Sequence, residues 1–130
     1  MTTVRPFLMF EGKAEEAMAL YVSLFPDAAM TDIVRYGSGQ AGKEGSVLRA
    51  TFSIAGQSVM CIDSPAKHAF TFTPSFSFFV ETESEDELRR LAAALGEGGS
   101  VMMPLGDYGF SRLFTWVSDR FGVSWQLNLS

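Results

Sequence analysis

The residues with the greatest chemical reach in this sequence are few. Cys61 is its only thiol and His68 its only imidazole. Cys61 falls in a strand-like stretch, 58–63, whose alternation puts it on one face with Val59 and Asp63. If that face lines a cavity, Asp63 is a candidate for a shifted pKa and Cys61 for a reactive thiol. If it is turned inward, Cys61 is a small inert apolar residue and Asp63 caps the end of the strand. His68 stands in a stretch of small and hydroxyl residues; general-base work would need a partner within hydrogen-bond reach, and an exposed linker histidine is the simpler reading.

A second group lies toward the C-terminus. Gln126 shares a strand face with Ser124 and Asn128, while Trp125, Leu127 and Leu129 take the other. Such a polar face points either into a wet cavity, where the amide offers both donor and acceptor, or into bulk solvent. Ser75 and Ser77 alternate in the same way with Phe76, Phe78 and Val80. Arg112, with Phe110, Phe114 and Trp116 on its face and Tyr108 just before, makes either a clamp for an anionic or planar ligand or ordinary cross-strand packing with the guanidinium turned outward. Gly37, Gly39 and Gly42 spell G-x-G-x-x-G, but the dinucleotide fingerprint needs a helix after it, and here a strand-like segment follows. A loop between two strands is the expectation, one placed where it could serve as a lid. The acidic pairs and triplets, Glu15 with Glu16 and Glu85 with Asp86 and Glu87, sit in first helical turns and favour the helix dipole.

The elements that must carry these residues recur. Residues 4–10 read as a strand, and Ala14, Ala17, Met18, Tyr21, Leu24 and Phe25 follow at helical spacing until Pro26. Strands are expected at 30–36, 47–54 and 58–63. The same order begins again at 74. After a strand to Val80, Ser84 and Glu87 form a capping box, Ser84 accepting from the Glu87 amide and the Glu87 carboxylate reaching back to the Ser84 amide. Leu88, Leu91, Ala92 and Leu95 make the helix stripe, Gly96 to Gly99 end it, and strands follow at 100–104, 110–117 and 123–129. The chain is therefore expected to be a single domain over 1–130: a βαβββ module at 1–64, a linker at 65–73 and a second βαβββ module at 74–130. Each sheet would have one face under its helix and the other curling into half of a cup.

Composition supports a folded, soluble reading. Hydrophobic residues make up 47% of the sequence, enough for a core, and one cysteine rules out an internal disulfide and fits a cytoplasmic setting. The net charge of −5, with both signs interspersed, leaves no basic face for nucleic acid, and no stretch approaches the length needed to span a bilayer.

The segments RPFLMFEGKAEEAMALYVSLFPDA, IAGQSVMCIDS and VSDRFGVSWQLNL resemble the PhnB-like branch of the vicinal oxygen chelate superfamily, which includes glyoxalase, bleomycin-resistance and dioxygenase proteins. The resemblance runs almost end to end. It implies an α+β fold in which two βαβββ modules form a cupped mixed sheet, and a homodimer. Metal-dependent members hold a divalent ion through His or Glu, at positions that fall here near Pro6 or Leu8, at Cys61, at Ser75 and at Gln126. None of these is His, Asp or Glu, and serine, glutamine and one thiol are a poor set for a divalent ion. No metal or cofactor is expected. The expected function is metal-independent binding of a small molecule by Cys61, Asp63, Ser75, Ser77, Tyr108, Arg112, Trp116 and Gln126, with the alternative an enzyme of lyase, isomerase or dioxygenase type using an atypical site there; no catalytic residue is assigned. Members of this branch often carry the label of a ubiquinone-pathway methyltransferase, an activity that would require a nucleotide-binding parallel α/β domain for which the chain has no room.

Overall fold

Alternation of apolar and polar residues builds eight strands, and two stripes at helical spacing build two helices, in the computed structural model, which describes all of residues 1–130. Residues 1–68 and 69–130 form two compact units. The first contains β1 (Phe7–Phe10), α1 (Ala14–Leu24), β2 (Ala29–Arg35), β3 (Val47–Ile54) and β4 (Gln57–Asp63). The second contains β5 (Ser77–Glu81), α2 (Glu85–Gly96), β6 (Ser100–Gly106), β7 (Leu113–Ser118) and β8 (Ser124–Leu129). Their sheets are built alike, in the orders β1-β4-β3-β2 and β5-β8-β7-β6, with β1 parallel to β4, β5 parallel to β8 and the remaining pairs antiparallel. The fold class is α+β. No helix is long and apolar enough to cross a membrane.

Three strands start later than their residues suggest, each for a local reason. Ahead of β1, Pro6 has no amide to donate, although its carbonyl still accepts from Met60 N at 2.9 Å. Ahead of β5, Pro74 and Ser75 occupy a turn in which Phe76 N reaches Thr73 O at 3.3 Å. Ahead of β7, Asp107 Oδ1 accepts from Gly109 N at 2.8 Å, an Asx turn that holds the chain out of the sheet; Arg112 N rejoins it at Leu129 O, 2.9 Å away.

In the first unit α1 buries Ala14, Ala17, Met18 and Tyr21 together with Leu8, Phe10, Phe52, Val59 and Cys61 of the sheet, and the Tyr21 and Phe52 ring centroids are 6.1 Å apart. In the second, Leu88, Leu91 and Leu95 of α2 are fully buried, as are Trp125 and Leu127, and Phe78 stacks on Trp125 at 4.8 Å. Each such leucine contributes about 2 kcal/mol by leaving water.

The glycine-rich segment links β2 to β3 and no helix follows it. Tyr36 N donates to Ser46 O at 2.8 Å and Gly45 N returns to Tyr36 O at 2.9 Å, which laces the base of the loop. Its Gly42 lies flat on the Tyr36 ring, so that a Cβ there would stand 2.3 Å from a ring carbon.

Candidate functional site

Two faces of opposite character follow from the alternation in the second sheet. Trp125 and Leu127, aligned with Val117 and Thr115, are buried on the side where α2 lies: Arg89, Ala92 and Ala93 line one groove with Thr115 and Val117. The other side aligns Ser77 with Ser124, Phe79 and Trp116 with Gln126, and Glu81 and Phe114 with Asn128. Here the polar side chains are joined. Trp116 Nε1 donates to Ser124 Oγ at 2.8 Å, Ser124 Oγ and Ser77 Oγ are 2.6 Å apart, and Gln126 Nε2 donates to Ser77 Oγ at 3.3 Å. Gln126, Trp116 and Ser77 are half-buried, and Phe79 keeps 59% of its surface exposed.

At the end of this face Asn128 Nδ2 donates to Glu81 Oε1 at 2.9 Å, while Ser130 N and Oγ approach Glu81 Oε2 at 3.2 and 3.1 Å. The Asn128 amide, helped by Ser130, holds the Glu81 carboxyl below its ordinary value. Asn128 Oδ1 is buried without a hydrogen-bond partner. Neither Glu81 nor this orphaned oxygen is evident from the sequence. The alternation around Gln126 marks Asn128 as a face-mate, but Glu81 joins it only through the parallel register of β5 on β8.

Of the candidate binding residues, Ser77, Trp116 and Gln126 come together around Ser124, and the others do not join this hydrogen-bonded group. Cys61 and Asp63 are turned toward α1, the inward alternative. Burial pushes the Cys61 thiol from 9.0 up to about 12, with the Asp63 charge adding to the effect, so this thiol is not an activated nucleophile. The Asp63 carboxylate accepts from Gly12 N at 2.8 Å, Ala14 N at 3.0 Å and Val47 N at 2.9 Å, serving the start of α1, whose N-cap residue Lys13 makes no side-chain cap. Ser75 sits exposed in the turn before β5, hydrogen-bonded to Thr73 Oγ1 at 2.7 Å, and not on a strand face. Arg112 and Phe110 precede β7 and so do not share its face as strand residues. Arg112 Nε donates to Ser130 O at 2.6 Å, and Tyr108 donates its hydroxyl to Pro104 O. Tyr108, Phe110 and Phe114 form a ring cluster, with Phe110 5.0 Å from Phe114 and Tyr108 6.1 Å from it.

His68 is half-buried rather than solvent-exposed: Nε2 lies 2.8 Å from Ser64 Oγ, and its backbone N donates to Glu11 Oε2 at 3.3 Å. The capping box at α2 is offset from its expected form. Ser84 Oγ accepts from Glu87 N at 3.1 Å, but the Glu87 carboxylate takes the amide of Glu83 at 2.9 Å, one residue earlier than Ser84.

The residues do not fit a divalent ion. No three His, Cys, Asp or Glu side chains come together in a group that could hold one. Within the first unit, Leu8 and Cys61 are paired in register and buried with α1, and within the second, Gln126 lies on a half-exposed face beside Ser77. The neighbours on the opposite face of β1 and β4 are Phe7, Met9, Met60 and Ile62, which are no better as donors.

A family model described as 3-demethylubiquinone-9 3-methyltransferase matches residues 2–128. The chain belongs to this family. A solved structure described as a putative 3-demethylubiquinone-9 3-methyltransferase, PhnB protein, from Bacillus cereus is 50% identical, covers 99% of this chain and 100% of that one, and superposes with a TM-score of 0.97. YjdN of Escherichia coli strain K12 is 23% identical over 95% of this chain and 92% of its own. A glyoxylase/bleomycin resistance protein/dioxygenase domain from Frankia sp. EAN1pec, 13% identical, has the same fold at a TM-score of 0.66 over 100% of this chain and 92% of that one. The two βαβββ units therefore have the glyoxalase/bleomycin-resistance fold.

Proposed function

We propose that this PhnB-like chain binds a small molecule on the face of β5, β8 and β7 opposite α2, through hydrogen bonds and ring contacts and without a metal ion. The observation that carries the reading is the chain of hydrogen bonds from Trp116 through Ser124 and Ser77 to Gln126. Polar side chains held in place beside an exposed ring are what a small-molecule site requires, a few fixed polar groups among apolar walls. The mismatch between the donor set and a divalent ion supports the metal-free part. A homodimer is part of the proposal.

The methyltransferase named in the family's description is not the function proposed. Each sheet has a single parallel pair and no glycine-rich strand-to-helix turn at a parallel edge, which is where a nucleotide-like methyl donor is usually bound.

Screening a panel of planar aromatic and amide compounds by thermal shift and calorimetry tests the reading. Expected are ligands that raise Tm equally with and without EDTA, are not turned over, and bind at least about tenfold more weakly to Gln126→Leu. Stoichiometric metal in gently purified protein, catalytic turnover lost in Gln126→Leu, or binding of S-adenosylmethionine would overturn it.

A further inference from the structure

The direction of the hydrogen bonds on this face specifies what the ligand must bring. Ser124 is 2% exposed, and its hydroxyl meets only Trp116 Nε1 and Ser77 Oγ. The indole can only donate, so Ser124 Oγ accepts from it. If Ser77 also donated to Ser124, the Ser124 proton would be buried without an acceptor, at a cost of about 1–3 kcal/mol. The favoured arrangement therefore runs from Trp116 to Ser124 and from Ser124 to Ser77. Ser77 also accepts from Gln126 Nε2, so both its lone pairs are used and its own proton is left over, on a hydroxyl that is half-buried rather than sealed. The Gln126 amide, its nitrogen turned to Ser77, has its carbonyl oxygen without a partner. A donor and an acceptor thus stand side by side. Phe79 and Trp116 flank Gln126 on the adjoining strands, each about 5 Å away along the hydrogen-bonding direction.

Charge narrows the choice. The remaining unpaired group on the face, Asn128 Oδ1, is another acceptor, and the carboxyl beside it, Glu81, is held in its ionised form. Arg112, at the end of the face, directs its Nε to the Ser130 carbonyl. The face is short of N–H donors and unwelcoming to anions.

We propose that the ligand of this site is a planar, uncharged lactam or carboxamide on an aromatic ring system, whose carbonyl accepts from Ser77 and whose adjacent N–H donates to Gln126 Oε1. This rests on the binding role proposed above and assigns its specificity: Ser77 is the donor and Gln126 the acceptor.

Three bicyclic probes separate the claim from its parent. 2-Quinolone carries the lactam, N-methyl-2-quinolone lacks its N–H, and quinoline-2-carboxylate carries an anion instead. Binding is followed by calorimetry and by the Trp116 indole N–H resonance, assigned with Trp116→Phe. 2-Quinolone should bind wild-type protein about tenfold or more tighter than either analogue, the scale of one hydrogen bond with its buried partner left unmet. Gln126→Leu should erase the preference for 2-quinolone over its N-methyl form, and Ser77→Ala should weaken both lactams. Should either variant fail to fold, the ranking of the probes on wild-type protein still decides. Equal binding of all three, or preference for the carboxylate, would overturn the lactam assignment and leave small-molecule binding standing. No shift of the Trp116 resonance with any probe, nor with any compound of the wider panel, would overturn both.

Discussion

A buried thiol can be told from a reactive one by what its proton does. The Cys61 thiol titrates at about 12 in the folded chain against 9.0 for the free group, because burial disfavours the thiolate and the Asp63 charge disfavours it further. The folded state thus keeps a proton that the unfolded chain releases, and stability from this source is complete below pH 9 and drains away between about 9 and 12. Wild-type protein should lose unfolding free energy over that window with a contribution approaching 1.4 kcal/mol per pH unit, and Cys61→Ala should lose correspondingly less. Urea midpoints of the two proteins at about pH 8 and about pH 10.5 check this; parallel decline in both would contradict the inward placement. Alternation reveals that Cys61, Val59 and Asp63 share a face. Which face meets the helix is a tertiary fact, and periodicity alone leaves it open.

Helix starts show the same boundary between local and distant information. For α2, Ser84 three residues before Glu87 is a local pattern, and the cap at Ser84 forms as its spacing indicates, with only the return bond shifted to Glu83. For α1 the service comes from Asp63, at a sequence separation of 49 from Ala14, and no local spacing could announce it. The two should differ in cost. Ser84→Ala removes one exposed cap and is expected to lose about 1 kcal/mol. Asp63→Ala strips the acceptor from the amides of Gly12, Ala14 and Val47 and is expected to lose about 3 kcal/mol or more, with Asp63→Asn intermediate. Denaturant unfolding of the three variants ranks them, and a silent Asp63→Ala would refute the account. The late starts of β5 and β7 have a local cause instead. Residues 75, 76, 110 and 112 alternate as a strand would, but the turns at Pro74 and Asp107 override that pattern.

At the level of the whole chain, the repeated element order is visible in the sequence and recurs in the two sheets, while the candidate site is legible only in part: Ser77, Trp116 and Gln126 meet, Tyr108 and Arg112 touch only the end of that face through Phe114 and Ser130, and Cys61, Asp63 and Ser75 are engaged in other contacts. Phe70, Phe76 and Phe110 each leave about 60% of their surface exposed. Contiguous apolar surface marks association sites, and these rings are the first place to look for one. Sedimentation at micromolar concentration should find a dimer, and the aspartate substitutions Phe76→Asp and Phe110→Asp are the first to examine for its dissociation; a monomeric wild type would end the proposal. Each open sheet also brings its unit's first and last strands together, since β4 lies between β1 and β3, and β8 between β5 and β7. The first and last strands of a unit are thus hydrogen-bonded neighbours, and residues 65–76 lie in no strand, after Ser64 N has made a last bond to Phe10 O at 2.7 Å. A chain assembled from such halves can lengthen, shorten or accept insertions between 65 and 76 without dropping a rung of either ladder. That freedom lets the first half keep its carboxylate-anchored interior whatever the length of chain that follows it.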